Sequence, residues 1–521
     1  MMKQSIKRVL SAFLALLLLC VSFAPAAAGA AQEEYPIIYI KGMGAGLVDK
    51  DGNSIAAADV DKDYIVNSVK DVLKQIPIDW DGNWDKYCDA LYNCFSPIYD
   101  TIRLDKNGEA SDGSRSFWVW RKELLGRKTS NFNASDYPFY YDWRVDPFVS
   151  AAELSKYIDA VREVTGKSKV TLVGRCLGSC IVAAYLQMTE NVQDKVKNVI
   201  YYAPSVGGIG LLGALFSGQA TIDEKSLDRF INSYTDRTTL FEDSALEALV
   251  VSAVSLARYL KVLGFGTAVV QDIYDRIFEN IVPRLALTSY GSFPSFWSMI
   301  GTEYYESARD FIFKGKEDEY AKMIEKTDHF YYSVTARLPQ LIDELSQKGV
   351  EFSYLAKYNF DLIPVFEGSD VQSDGLVELS TLSAGATSEK MGSFLSEKYI
   401  AAAKEKGTDK YISADKLVDA STCRFPDKTW FFKNLDHATM PDCVDPLIEK
   451  ISRGNGDFTV WSDPAFPQYM TFDSETETYS PTVIEGDDFR SPPRDFISAI
   501  FRFFTSFFRY LAAAFEKLKN K

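Results

Sequence analysis

Short apolar runs alternate with amphipathic stretches over the first 204 residues. The apolar runs have strand length and are rich in β-branched and aromatic residues; they cover residues 35–40, 139–143, 169–173 and 199–202. The stretches with apolar side chains at helical spacing cover residues 63–76, 151–164 and 177–188. Strands that alternate with helices predict the α/β class, with a mostly parallel sheet and helices on both faces.

The alternation stops at residues 205–348. This stretch is rich in Leu, Phe and Tyr, has a helical pattern and lacks a clear strand, whereas strand-like runs return at 351–358 and 429–432. We therefore predict a large helical cap at 205–348, inserted between two halves of one α/β core at 31–204 and 349–455.

The N-terminus has the layout of a secretory signal peptide. Three basic residues precede an apolar stretch at 9–23, and small residues follow at 24–31. We predict that residues 1–30 are removed and that the protein is secreted or extracellular. A retained membrane anchor is the alternative.

The C-terminus carries a second distinctive pattern. After a predicted linker at 456–490, two prolines introduce residues 494–521, in which apolar side chains recur at i, i+3, i+4 and i+7. Arg502 and Arg509 lie on the other side of the predicted helix. An amphipathic helix at 491–521 with basic residues predicts contact with an anionic membrane or cell surface, and docking on the protein itself is the alternative.

Composition narrows the class of partner. The chain has 521 residues, of which 46% are hydrophobic, so it can bury a large core. Its formal net charge of -15 argues against a nucleic-acid partner but is compatible with a neutral ester or lipid.

Six of the seven cysteines remain after removal of the predicted signal peptide. Export permits disulfides, and Cys88 with Cys94 and Cys423 with Cys443 are neighbours along the chain. Buried free thiols are the alternative for each pair.

Residues 169–185 (KVTLVGRCLGSCIVAAY) contain the strongest chemical motif. A predicted strand leads through Gly174, Cys176 and Gly178 into a predicted helix. Two glycines around a nucleophile at a strand-to-helix turn are typical of a nucleophile elbow, a turn too tight for larger side chains. The helix N-terminus there favours a thiolate or an oxyanion. Cys176 is therefore the predicted nucleophile, with a packed core thiol as the alternative.

The chain has only two candidates for a histidine base. His437 lies in a loop after the strand at 429–432, whereas His329 lies in a helical part of the predicted cap. Where a nucleophile elbow is part of a triad, the chain order is nucleophile, acid and then base. We therefore predict that His437 is the base. We interpret His329 as an ordinary helix histidine.

The predicted acid is Asp374, in the tract 372–377 (QSDGLV). A carboxylate on this loop would accept the imidazole N–H and fix the tautomer of His437. Asp370 and then Asp361 are the alternatives, and Asp-Gly is also a common turn dipeptide.

An oxyanion needs two preorganised backbone N–H groups. We predict those of Leu177, which follows the nucleophile, and Met43, in the glycine-rich tract 41–46 (KGMGAG) after the first strand. We predict neither a cofactor nor a metal ion.

Four tracts resemble the lipase branch of the α/β-hydrolases, and most closely the lecithin:cholesterol acyltransferase-like group. The tracts are 42–44 (GMG), 141–144 (YDWR), 293–297 (FPSFW) and 373–377 (SDGLV). The resemblance spans about residues 36–451. Two positions depart from it: Lys41 replaces a histidine that is common before the first glycine, and Cys176 replaces serine. Cysteine elbows also occur in dienelactone hydrolases and polyhydroxyalkanoate synthases.

The resemblance implies an α/β-hydrolase fold and an ester, in particular a lipid, as substrate. With a cysteine nucleophile, the predicted function is acyl hydrolysis or acyl transfer through an acyl-cysteine. The alternative is an inactive lipid-binding pseudoenzyme that keeps the fold. The elbow glycines and His437 favour the enzyme.

Overall fold

A computed structural model describes residues 34–43, 46–56, 84–126, 134–135, 137–221, 279–362, 368–454 and 457–483. The predicted signal peptide, the predicted helix at 63–76 and the predicted terminal helix at 491–521 lie outside these residues.

Thirteen strands occur in the described residues. They are β1 (Ile37–Ile40), β2 (Leu47–Val48), β3 (Ser54–Ile55), β4 (Arg115–Ser116), β5 (Tyr137–Phe139), β6 (Val170–Cys176), β7 (Val196–Pro204), β8 (Glu351–Tyr358), β9 (Thr387–Ser388), β10 (Val418–Asp419), β11 (Thr429–Lys433), β12 (Tyr469–Asp473) and β13 (Thr478–Pro481). Eight of them form the central sheet, in the order β13-β12-β11-β8-β7-β6-β1-β5. Every neighbouring pair is parallel except β12 with β13, so the predicted α/β class and mostly parallel sheet are confirmed.

Eleven α-helices lie among these strands in the described residues. They are α1 (Trp84–Phe95), α2 (Pro147–Thr165), α3 (Leu177–Met188), α4 (Gly210–Phe216), α5 (Pro294–Trp297), α6 (Tyr305–Ile312), α7 (Ala321–Ser333), α8 (Leu338–Gln347), α9 (Leu379–Leu382), α10 (Glu397–Lys406) and α11 (Asp445–Arg453), and residues 279–287 are also helical. The α3 helix packs against α2, β1, β6 and β7, and buries ten of its twelve residues. No helix in the described part of the chain is long and apolar enough to cross a membrane.

Local sequence explains the bounds of α2. The carboxylate of Asp146 accepts a hydrogen bond from the Phe148 N–H at 2.9 Å, and Pro147 occupies the first turn, where its missing N–H costs nothing. Gly166 ends the helix with φ 67°, a left-handed conformation that favours glycine.

Helices are the only regular secondary structure in the described residues between β7 and β8. Several pack around a second apolar cluster that includes Phe216, Trp297, Tyr305, Phe313 and Tyr331. The α8 helix packs instead on α3 and β8, so the helical layer of the core includes residues within the predicted cap range.

The predicted linker at 456–490 is wrong for residues 469–481. These residues form β12 and β13, which extend the central sheet as an antiparallel hairpin beyond β11. The Asp473 carboxylate accepts the Glu475 N–H at 2.8 Å in the connecting turn. Tyr469, Met470 and Phe472 are buried, but the polar residues around this short apolar group resemble a linker in the sequence.

Two further predictions differ from the structure. The strand expected at 139–143 lies at 137–139, since after Phe139 the chain leaves the sheet and the Tyr140 carbonyl accepts the Trp120 N–H at 2.9 Å. Cys423 and Cys443 are both free thiols, so the suggested pair is not formed. The Cys94 side chain lies outside the description, and its pairing with Cys88 stays a prediction.

Candidate active site

Four loops leave the sheet at the same edge, because β1, β6, β8 and β11 all run parallel. These loops carry Met43, Cys176, Asp374 and His437, in that order. The carboxyl edge of a parallel sheet is where α/β proteins hold their ligands. The topology therefore gathers the residues that the sequence singled out, although up to 394 positions separate them.

Cys176 lies on a strained turn between β6 and α3. Its φ of 49° and ψ of -129° lie outside the regions that residues with a side chain commonly adopt. A Cβ built on Gly178 would lie 2.2 Å from the carbonyl oxygen of Ile40, and one on Gly174 would lie 3.0 Å from the Cα of Ser179. Gly178 is thus required by close backbone approach, and Gly174 leaves little room for a side chain.

The Ser179 side chain stabilises this turn through hydrogen bonds. Its hydroxyl donates to the Cys176 carbonyl at 2.6 Å and accepts the N–H groups of Ser205 and Val206, each at 3.0 Å. These bonds tie the elbow to the loop after β7. The neighbouring Cys180 is fully buried, with its sulfur 3.5 Å from the Ser298 carbonyl oxygen.

His437 contacts Asp374 through both its side chain and its backbone. Nδ1 of the imidazole lies 2.6 Å from Oδ2 of Asp374, and the His437 N–H donates to the Asp374 carbonyl at 2.8 Å. The other carboxylate oxygen accepts the N–H groups of Leu376 at 3.1 Å and Val377 at 2.8 Å. The carboxylate is fully buried and held on both sides, so it can fix the ring orientation of His437.

The second imidazole nitrogen faces the nucleophile. Nε2 of His437 is buried and makes no hydrogen bond of ordinary geometry with the described residues, but the ring interacts with the thiol of Cys176. An unengaged ring nitrogen beside a thiol can accept its proton.

Electrostatic interactions favour charge separation between Cys176 and His437. Burial acts to raise the pKa of Cys176, yet His437, Arg175 and the Leu177 N–H together lower it below its ordinary value. Burial acts to lower the pKa of His437, yet the charges of Asp374 and Cys176 raise it overall. Both directions favour a thiolate beside an imidazolium, the reactive form of a cysteine–histidine pair.

The loop after β1 crosses over the nucleophile. A Cβ built on Gly42 would lie 2.9 Å from the Cβ of Cys176 and 3.5 Å from its sulfur, so only glycine allows this approach. Met43 follows and is partly buried against the core, whereas Gly44 lies outside the described residues. The Leu177 N–H lowers the pKa of the Cys176 thiol. Leu177 directly follows the nucleophile in the chain, and Met43 directly follows the glycine that contacts it.

The residues considered as alternatives to His437 and Asp374 contact other groups. His329 lies on α7 and stacks on Phe148 of α2, with ring centroids 4.2 Å apart. Asp370 forms an ion pair with Lys390 at 3.0 Å. Asp361 follows Phe360, whose backbone pairs with Ser373. The carboxylate that contacts His437 is that of Asp374.

Two cations beside the site were not singled out from the sequence. Nη2 of Arg175, the residue before the nucleophile, donates to the carbonyls of His437 at 2.8 Å and Ala438 at 2.9 Å. Lys357, near the end of β8, is fully buried and donates to carbonyls of the same loop. A lysine near the end of the mostly apolar run 351–358 was the available signal, because a lysine is rarely buried without a specific partner.

No group of three or more His, Cys, Asp or Glu within the described ranges could hold a metal ion. The site consists of a thiol, an imidazole, a carboxylate and backbone N–H groups. These are the components of nucleophilic acyl chemistry.

Part of the chain matches a known protein family. Residues 82–233, which include β5, β6, the elbow and β7, match a family model described as alpha/beta hydrolase fold. No curated protein matches the chain. The family match and the eight-stranded, mostly parallel sheet together support the α/β-hydrolase superfamily, whose members are generally hydrolytic enzymes.

Proposed function

We propose that the protein is a secreted acyl hydrolase or acyltransferase that acts on an ester through an acyl-cysteine at Cys176. The observation that carries the proposal is the buried Asp374–His437 pair, 2.6 Å apart, beside a cysteine on a strained elbow. Backbone strain and buried charges cost stability and cluster at functional sites, so their combination here supports a catalytic role.

Acylation begins from the thiolate. The sulfur of Cys176 attacks the carbonyl carbon of the ester, a C–S bond forms, and the carbonyl oxygen becomes an oxyanion held by the N–H groups of Leu177 and Met43. When the oxyanion collapses, the C–O bond to the alcohol breaks. The leaving alkoxide takes the proton of the His437 imidazolium, which leaves an acyl-cysteine and a neutral imidazole.

Deacylation reverses these roles. Neutral His437 takes a proton from water or from an acceptor alcohol, and the resulting oxygen nucleophile attacks the thioester carbonyl. The C–S bond breaks, and Cys176 leaves as a thiolate beside the reprotonated His437. Water gives a carboxylic acid, whereas an alcohol gives a new ester. Asp374 stays ionised throughout and stabilises the imidazolium.

A lipid ester is the substrate class that we propose, because the sequence resembles the lipase and lecithin:cholesterol acyltransferase-like group. The signal-peptide pattern at 1–30 and the basic amphipathic pattern at 491–521 support secretion and contact with a membrane or cell surface. The net charge of -15 favours a substrate other than nucleic acid.

The experiment is hydrolysis of p-nitrophenyl esters of increasing chain length, with and without an added alcohol. We expect turnover by the wild type, none above background by Cys176→Ala, and wild-type turnover by the matched control Cys443→Ala. A new ester in the presence of alcohol would assign acyl transfer. If Cys176→Ala kept full activity, the proposal would be wrong; if the folded wild type bound lipid without turnover, the pseudoenzyme alternative would replace it.

A further inference from the structure

Four consecutive backbone carbonyls of the His437 loop converge on two cations. Nζ of Lys357 lies 2.8 Å from the Asp436 oxygen, 3.3 Å from that of His437 and 2.7 Å from that of Thr439. Nη2 of Arg175 lies 2.8 Å from the His437 oxygen and 2.9 Å from that of Ala438. The backbone of residues 436–439 is therefore held by side chains from β8 and from the elbow.

The contacts of Lys357 match the chemistry of an ammonium group. An ammonium has three N–H donors and no acceptor, and three carbonyl oxygens surround it here. The fully buried side chain also places its cation 4.9 Å from the ring centroid of Tyr202. Replacing the cation would leave several buried carbonyls unsatisfied, at a cost in free energy that the loop can avoid only by moving.

Strand register places Lys357 next to the start of the His437 loop. Lys357 pairs with Phe432 on the neighbouring strand β11, and the His437 loop begins directly after β11. Arg175 is adjacent to Cys176 in sequence, so its bonds connect the nucleophile turn to the base loop. Asp436 adds a local constraint, since its carboxylate accepts the N–H groups of Ala438 at 2.8 Å and Thr439 at 3.1 Å.

We infer that Lys357 is a positioning residue that, together with Arg175, holds the loop 436–439 so that His437 meets Asp374 and Cys176 at once. The inference rests on the proposed function for its importance to turnover. Lys357 acts on the reaction through the backbone of His437. Burial lowers the pKa of Lys357 to about 7, so its side chain is an ammonium below about pH 7 and a neutral amine, which still has two N–H donors, above it.

The test compares Lys357→Met and Lys357→Arg with wild type in the full chain. The first readout is the pH profile of Cys176 alkylation by iodoacetamide, followed by mass spectrometry of the Cys176 peptide. We expect Lys357→Met to move the midpoint upward by about one pKa unit, because a displaced His437 no longer lowers the pKa of Cys176. We expect Lys357→Arg, which keeps N–H donors towards the loop, to restore most of the wild-type profile. The second readout is ester turnover, in which Lys357→Met should lower kcat more than it raises KM.

The matched control is the other buried lysine on this sheet. Lys433 of β11 forms an ion pair with Asp415 at 3.0 Å, and replacing both by Lys433→Met with Asp415→Asn removes a buried cation elsewhere. The control should leave the alkylation profile unchanged. A Lys357→Met profile that matches wild type, or an equal shift in the control, would overturn the inference.

Alkylation requires no ester turnover, so this test is separable from that of the proposed function. If Cys176 forms no acyl adduct but Lys357→Met still moves its alkylation midpoint, the function fails and the positioning role stands. If Lys357→Met fails to fold, Lys357→Gln keeps two N–H donors on a shorter side chain, and a smaller upward shift is expected of it. A wild-type profile for a folded Lys357→Gln would then overturn the inference.

Discussion

Asp374 and His437 are joined by two hydrogen bonds, one between their side chains at 2.6 Å and one between their backbones at 2.8 Å. The side-chain bond fixes the tautomer and orientation of the imidazole, while the backbone bond fixes the position of the His437 backbone. Because the carboxylate is also bonded to two N–H groups of its own loop, its orientation is set before a substrate arrives. Such preorganisation lowers the reorganisation needed in the transition state.

Asp374→Asn should reduce ester turnover strongly while the protein stays folded. The amide would present an N–H or a carbonyl in place of the carboxylate, and the imidazolium would lose its stabilising charge. We expect kcat/KM to fall by about 10²- to 10⁴-fold. Steady-state kinetics with a p-nitrophenyl ester measure this. Asp370→Asn, which removes an ion pair with the exposed Lys390, should change kcat/KM less than threefold, under about 0.7 kcal/mol. Equal losses in both variants would contradict the role of Asp374.

Alkylation of Cys176 should reach its half-maximal rate below pH 9.0, the ordinary pKa of the thiol. Only the thiolate reacts, so the alkylation rate stays high at pH values above the lowered pKa. The rate falls at pH values below that pKa. His437→Ala removes the main group that opposes burial, and the pKa should then rise. At pH 7 we expect alkylation of His437→Ala to be at least about tenfold slower, since one pKa unit is a factor of ten in thiolate. A lower midpoint in His437→Ala would contradict the paired thiolate.

Gly178→Ala should destabilise the fold. The added Cβ would lie 2.2 Å from the carbonyl oxygen of Ile40, and a backbone atom of a strand paired on both sides cannot move aside without a large cost. We expect a loss of about 3 kcal/mol in the free energy of unfolding, measured by urea denaturation. Gly46→Ala is the control, since nothing lies within 4 Å of its Cβ position, and its change should stay within about 0.5 kcal/mol. Similar values for the two variants would be inconsistent with the close approach of α3 to β1.

Removal of residues 491–521 should abolish binding to anionic liposomes, because the basic amphipathic pattern of the chain is concentrated there. Cosedimentation with vesicles that contain phosphatidylserine measures binding, and neutral vesicles are the control. Turnover of a short soluble ester should survive the deletion. Unchanged binding to anionic vesicles would remove the proposed membrane contact.

Parts of the fold were predictable because their sequence signal is local. The strand at 351–358 and the helix at 177–188 match their predicted bounds, since a dense apolar run and a small-residue run each favour one element. Glycines on both sides of Cys176 marked the elbow, because so tight a turn excludes other residues.

Other parts of the fold and of the site could not be predicted from the sequence, because their sequence signal is not local. The hairpin β12–β13 is short and bordered by polar residues, and only pairing with β11 makes it a strand pair. The roles of Lys357 and Arg175 depend on backbone carbonyls about 80 and 260 positions away. A bond to a carbonyl requires no particular residue type at the acceptor, so the sequence of the His437 loop gives no hint of it.

The most direct test of the central claim is the intact mass of the protein after brief incubation with a short-chain p-nitrophenyl ester. The acyl-cysteine mechanism predicts a mass increase of one acyl group on the wild type, which maps to Cys176, is removed by hydroxylamine and is absent from Cys176→Ala. In His437→Ala the adduct should form more slowly. An acyl adduct on another residue, or the same adduct on Cys176→Ala, would contradict the mechanism.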